Sequence, residues 1–158
     1  VYTVTTPTAS SYLDAASADT LAASRPTNTA WAAASSVEKL AALEEATRRI
    51  DSMVLRGNKY DSDQALEFPR IIDGVTVGNA DQDAEVPTPV LWACLEEAMA
   101  IIGAGTSGSL KDLQEQGVQS MSIGGKLSYT FIAGAGNSGL LSATAKRYMR
   151  RYIGAEVR

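Results

Sequence analysis

The sequence predicts a mainly α protein: a small helical bundle with a C-terminal β-hairpin and a terminal helix forming a projecting arm. Three observations predict it. Alanine supplies much of the 45% hydrophobic content while aromatics make up only 6%, a composition that favours helices. Two segments, about 36–55 and 88–102, carry continuous apolar stripes at helical spacing. Near the C-terminal end, Gly124-Gly125 separates two alternating segments, 118–123 and 126–131, which is the pattern of a tight hairpin. A chain of 158 residues suits a single domain, 1–158, large enough to bury a core. Within it, 1–104 reads as a helical body with a long loop at 56–86, and 105–158 as a glycine-jointed arm.

Each element has its own warrant. "VYTVTT" at residues 1–6 alternates apolar and polar side chains and predicts a short edge strand. Asp14 is a good N-cap for a short helix reaching about Ser24, which "RPTNT" ends by proline and turn chemistry. The strongest helix follows, with Ser35 and Glu38 in capping-box spacing. Leu40, Leu43, Thr47, Ile50 and Val54 step by three and four and form its apolar stripe. Glu44, Glu45, Arg48 and Arg49 lie off that stripe and are expected to be solvated pairs. Residues 56–86 lack helical periodicity, and a connection of that length marks a functional loop or a contact surface. Phe68 and Pro69, an apolar pair inside it, are expected to anchor it to the core, with Arg70 at a subunit boundary.

Pro87 and Pro89 fit the first turn of the next helix. Its broad apolar face is Val90, Leu91, Cys94, Leu95, Ala98, Met99 and Ile102; Trp92 adds a further apolar group, and Glu96 and Glu97 are expected to face away. Gly103 or Gly105 is expected to cap its C-terminus and begin a flexible joint. The last element, about Gly139–Tyr152, has Leu140, Leu141, Ala145, Tyr148 and Ile153 as its strip, with Lys146, Arg147, Arg150 and Arg151 on the flank.

Several chemistries are excluded. Gly134-x-Gly136-x-x-Gly139 follows "FIA" and precedes a helix, as a dinucleotide-binding turn would. The fingerprint needs a βαβ unit of about 30 residues with an acid near its end. Glu156 is near the right distance, but "GAEVR" cannot supply a second strand. "GAGTSG" at Gly103, Gly105 and Gly108 follows a helix and has the wrong predecessor. "GGKLS" fails as a phosphate-binding loop because Ser120 and Leu127 stand where Gly and Ser or Thr are needed. Asn79, Asp81, Asp83 and Glu85 alternate like calcium ligands, but Ala84 and Val90 occupy the positions that need Gly and Glu. There is no histidine, which removes Ser-His-Asp and Cys-His catalysis and imidazole metal sites. The single cysteine, Cys94, reads as a core residue. No catalytic, cofactor-binding or metal-binding residues are expected, and no membrane span or signal peptide is visible. A binding or assembly role leads over an enzymatic one.

Charge is unevenly placed. Residues 146–158 hold five basic side chains against Glu156 alone, a net +4, so residues 1–145 carry −8 of the chain's −4. An acidic body repels nucleic acid, and a basic tail suits an acidic partner.

The spaced segments "SYLDAASAD", "TAW", "ALEEAT", "GNKYDSDQALEFPR", "VPTPVLWACLEEA" and "GVQSMSIGGKLSYTF" run in order through nearly the whole chain. Gln64, Leu66, Phe68, Pro69 and Arg70, following Gly57 and Lys59, are the most specific of them; residues 71–86 and the glycine joints depart from the pattern. Together they resemble the head–tail connector adaptor proteins of tailed bacteriophages, some of which are filed as DnaT-like single-stranded DNA-binding proteins. The resemblance implies a structural virion protein, made in the host cytoplasm. It would form an oligomeric ring, a dodecamer, beneath the portal protein and meet a tail-side head-closure or tail protein. DNA would pass through the channel without sequence-specific binding, in packaging and ejection. On that reading Lys126, Tyr129, Phe131, Lys146, Arg147, Tyr148, Arg150 and Arg151 are the residues that meet the portal or a neighbouring subunit. The alternative takes the family's other label literally, as single-stranded DNA binding. That function needs cations with stacking aromatics, and in the sequence only the terminal helix, with Tyr148 and Tyr152 among arginines, offers them.

Overall fold

The computed structural model describes residues 10–26, 28–77, 86–107, 120–123, 127–130 and 139–154. The described residues are about half helical, with five helices and a small three-stranded antiparallel sheet among them. The helices are α1 (Ala15–Ala23), α2 (Thr29–Ala33), α3 (Ser36–Asp51), α4 (Thr88–Ser107) and α5 (Ala143–Met149). The sheet strands are β1 (Asn58–Lys59), β2 (Arg70–Ile72) and β3 (Val75–Val77), and a separate pair is formed by β4 (Ser120–Ile123) and β5 (Leu127–Thr130).

Both N-terminal signals act as their chemistry requires. Asp14 caps α1, accepting from Ser17 N at 2.8 Å. Ser35 Oγ accepts from Glu38 N at 3.3 Å, and Glu38 accepts from Ser35 N at 2.8 Å, a complete capping box that satisfies two orphan donors of α3. The seam of α3 differs from the expected stripe. Leu43, Thr47 and Ile50 are buried, but Leu40 is 45% and Val54 58% exposed. Ala42 and Ala46 complete the seam instead, because small side chains let α4 approach closely. Helix α3 also stops at Asp51, and Leu55 forms an antiparallel bridge to Ile153.

Helix α2 begins at the last residue of the "RPTNT" turn and runs through a stretch to which the sequence assigns no element. Five residues show no periodicity, and tertiary contacts hold it: Trp31 is buried, and its Nε1 donates to Asp19 Oδ1 at 2.8 Å. Lys39 Nζ pairs with the same carboxylate at 2.9 Å and lies 5.5 Å from the Trp31 ring centroid.

Helix α4 packs against α1, α2, α3 and α5. With neighbours on several sides it has little face left for water, so Glu97, expected to face away, is fully buried. The helix continues through Gly103 and Gly105 to Ser107, so neither caps its end; a helical glycine costs about 1 kcal/mol relative to alanine, which this packing tolerates.

The connection after α3 contains the three-stranded sheet, in the order β1-β2-β3. Asp73 (φ 52°) and Gly74 (φ 78°) make the two-residue turn from Ile72 to Val75, the Asp-Gly chemistry that hairpin twist selects. At Gly57 (φ 73°) a Cβ would lie 2.0 Å from Ile71 O, so only glycine fits. Phe68 is buried, edge-on to Tyr12 (centroids 6.1 Å apart) and to Tyr152 (5.2 Å). Pro69, joined to Phe68 by a cis peptide, is half-buried. Arg70, expected at a subunit boundary, is 6% exposed and spent inside the chain: it donates to the carbonyls of Arg56 (2.8 Å) and Gly57 (2.6 Å) and pairs with Glu67.

The terminal helix belongs to the body rather than to an arm. Leu140, Ala145, Met149 and Tyr152 are buried, and α5 packs on α4. Arg56 N donates to Tyr152 O and Gly154 N to Val54 O, both at 2.8 Å. In the hairpin Ile123 pairs with Leu127; the expected Gly124-Gly125 loop and Lys126 lie outside the described residues. The segment "VYTVTT", the acidic run 79–85, Gly134, Gly136 and Glu156 lie outside the described residues.

Leu43→Ala should destabilise by about 2–5 kcal/mol, as truncation of a filled core site does, whereas Leu40→Ala should stay within about 0.5 kcal/mol. Urea melts of the two variants giving equal losses would remove the assignment of the seam. Burial pushes the Cys94 thiol up to about 12, so the native protein should resist alkylation at pH 8 and react only once unfolded. Rapid labelling of the native state is the contrary result.

Candidate functional site

Glu97 fixes where α5 can lie. Its two oxygens accept from Leu141 N at 2.8 Å and Ser142 N at 2.9 Å, and Arg49 Nη1 reaches it at 3.2 Å. A carboxylate on α4 therefore holds the chain entering α5, and an arginine from α3 balances its charge. Two backbone donors and a guanidinium are the partners a buried carboxylate needs. Ser142 then caps α5 through Ala145 N at 3.2 Å.

This placement sets Tyr148 beside Trp92 of α4. Their rings meet edge to face, with centroids 5.5 Å apart and planes at 61°. Trp92 is 37% exposed, unlike buried Trp31. The Arg25 Cζ lies 5.9 Å from the Trp92 centroid, and Arg25 pairs with Glu96 at 3.2 Å. Trp92 and Glu96 are four residues apart and share one flank of α4. Arg147 precedes Tyr148 on α5, and Arg151 follows Tyr148 by three in the turn after the helix; both are exposed, as is Arg150, while Lys146 is half-buried. Among the described residues none of these four cations forms an ion pair. Arg151 lies over the edge of the core, 6.0 Å from the Tyr152 centroid. The result is a surface of one exposed indole, one phenol and several unneutralised cations: flat π faces for stacking and charge for a polyanion's backbone.

The residues expected to meet a partner divide accordingly. Lys146, Arg147 and Tyr148 lie on α5, and Arg150 and Arg151 in the turn that follows it. Lys126 and Phe131 lie outside the described residues, and Tyr129 is placed by its backbone alone, paired with Met121. Phe68, Pro69 and Arg70 belong to the internal support of the sheet. Among the described residues no group of three or more acids or cysteines could hold a metal ion, and no helix is long and apolar enough to cross a membrane.

Residues 3–156 match the family model described as "Putative DnaT-like ssDNA binding protein". The chain belongs to this family. No curated protein and no solved structure matches it. The family match overturns the head–tail connector expectation and, with it, the portal protein, the twelvefold ring, the tail-side neighbour and the virion role; no connector or adaptor family matches. The physical reason for the error is visible in the fold. Gln64, Phe68 and Arg70, which carried the resemblance most specifically, hold the loop and sheet in place: Gln64 donates to the carbonyls of Leu66 and Pro69 at 2.7 and 3.0 Å. Such residues identify a fold and do not report what the fold binds.

Sequence reasoning missed Trp92, Arg25 and Glu96 as a group. The signal available was the i,i+4 spacing of Trp92 and Glu96, off the apolar stripe. Arg25, far away in sequence, carried none. Glu97→Ala should cost about 2–4 kcal/mol, since it leaves two backbone donors and Arg49 without their acceptor, and Glu97→Gln, which keeps one acceptor oxygen, should cost less. Urea unfolding of both variants with wild-type stability would refute the role given to Glu97.

Proposed function

We propose that the protein binds single-stranded DNA through the surface formed by Trp92, Tyr148 and the cations of α5. The observation that carries this reading is the exposed indole held edge to face against Tyr148, beside cations that no carboxylate neutralises among the described residues. Membership of the family supports the same reading. Bases of a single strand can leave their neighbours and stack on Trp92, whereas duplex bases are sealed in their own stack. Phosphates on either side of a stacked base would meet Arg147 and Arg151, and stacking on a π face is tolerant of base identity.

The charge of the chain sets the scale. A body of net −8 outside residues 146–158 opposes a polyanion, so attraction is local to α5 and falls as salt screens it. Sequence-independent binding of modest affinity is the outcome of that balance.

Fluorescence anisotropy with a labelled oligothymidylate tests the proposal. Binding should weaken linearly in log salt, with a slope of about −0.7 per phosphate contacted. Trp92→Ala should weaken it by about 1–3 kcal/mol, the worth of one stacked base, and Arg147→Glu with Arg151→Glu should flatten the salt slope. Duplex of the same length should bind more weakly. An absence of binding at low salt, or binding that Trp92→Ala leaves unchanged, contradicts the assignment of this surface.

A further inference from the structure

We infer that Arg25 and Glu96 form a built-in competitor for the DNA site: Glu96 holds Arg25 over the Trp92 indole where a base would stack, and binding exchanges that carboxylate for a phosphate. The inference rests on the single-stranded DNA reading above. Its observations are separate ones: the Arg25–Glu96 pair at 3.2 Å and the Arg25 Cζ at 5.9 Å from the Trp92 centroid.

The geometry makes the two occupants exclusive. Tyr148 already takes part of the indole surface, and the Arg25 guanidinium covers another part. A planar base needs contact across the ring and cannot share it with a guanidinium. Arg25 must therefore move for a base to stack, and moving it breaks the pair with Glu96. A phosphate offers the same anionic oxygens as a carboxylate and accepts the same guanidinium fork. So the displaced Arg25 gains a partner from the strand whose base displaced it. Arg25 and Glu96 side chains are 27% and 19% exposed, accessible enough for that exchange and shielded enough for the pair to form without DNA.

The placement has two consequences. The unbound indole is covered by a cation rather than left bare, which lowers the apolar surface open to other proteins. The site also requires two features from its ligand, a free base face and a phosphate within reach of Arg25. A free nucleobase, or an aromatic compound without phosphate, supplies only the first and would have to break the ion pair without replacing it.

Glu96→Gln is the decisive variant, measured with oligothymidylate alongside wild type, Arg25→Ala, the double variant and Asp63→Asn. Asp63 lies on the exposed β1–β2 connection and controls for the loss of any one negative charge. Far-UV circular dichroism first establishes that each variant is folded. Glu96→Gln should bind about two- to fivefold more tightly than wild type, the worth of releasing one partly exposed pair. Its salt slope should stay parallel to wild type, because the same phosphates are contacted, whereas Arg25→Ala should lose about 0.7 from the slope. Adding Glu96→Gln to Arg25→Ala should produce no gain beyond that of Asp63→Asn. Wild-type binding with Glu96→Gln no tighter than Asp63→Asn would overturn this inference and leave the proposed function standing. A full gain from Glu96→Gln in the Arg25→Ala background would also overturn it. Wild type and Glu96→Gln both failing to bind would overturn the inference and the proposed function together.

Discussion

The carboxylate of Glu97 is the constraint on which the arrangement of the helices depends. It is fully buried on α4 and accepts from the backbone of Leu141 and Ser142 and from Arg49. A buried charge is tolerated only where donors surround it, so these partners are obligatory rather than decorative. They tie α3, α4 and the entrance of α5 to one point. The position of Tyr148, and hence the aromatic pair with Trp92, follows from where α5 begins.

A second set of contacts does the same for the ends of the chain. Phe68 lies between Tyr12 and Tyr152, joining the N-terminal segment, the loop before β2 and the residues after α5. Tyr12 donates to Asp51, and Phe68 N donates to the Tyr12 hydroxyl at 3.2 Å. Burial, together with the neighbouring Asp51 charge, pushes the Tyr12 phenol well above its ordinary range, so it remains a protonated donor. Arg70 meanwhile gathers the carbonyls of Arg56 and Gly57 beneath the sheet. Interior polar groups thus fix the geometry of the body, and the cations of α5 are left for the surface.

Much of the helical fold was legible because its signals are local. Asp14, and Ser35 with Glu38, name their helix starts by capping chemistry, and Leu43, Thr47 and Ile50 name the buried side of α3. Asp73-Gly74 was equally local and was overlooked inside a segment judged by its lack of helical period. Glu97 was not legible: helical spacing assigns one apolar face, and only the number of neighbours around α4 makes its other side interior. The candidate site divides along the same line. Arg147, Tyr148 and Arg151 are visible as a cluster in one short segment, while Arg25 and Trp92 meet only through the packing of α1 and its following residues on α4. The partner was misread because the motifs that matched a connector are those that build the loop and sheet.

Single-stranded DNA is proposed to meet one surface, on α4, α5 and the turn that follows it. Titration of isotope-labelled protein with oligothymidylate, followed through its amide and indole resonances, tests this most directly, since the two tryptophans report from different places. Large shifts are expected for the Trp92 indole and for the amides of residues 146–151, with the buried Trp31 indole and the β1–β3 amides unmoved. Shifts centred on the sheet, with the Trp92 indole unmoved, would contradict the proposal.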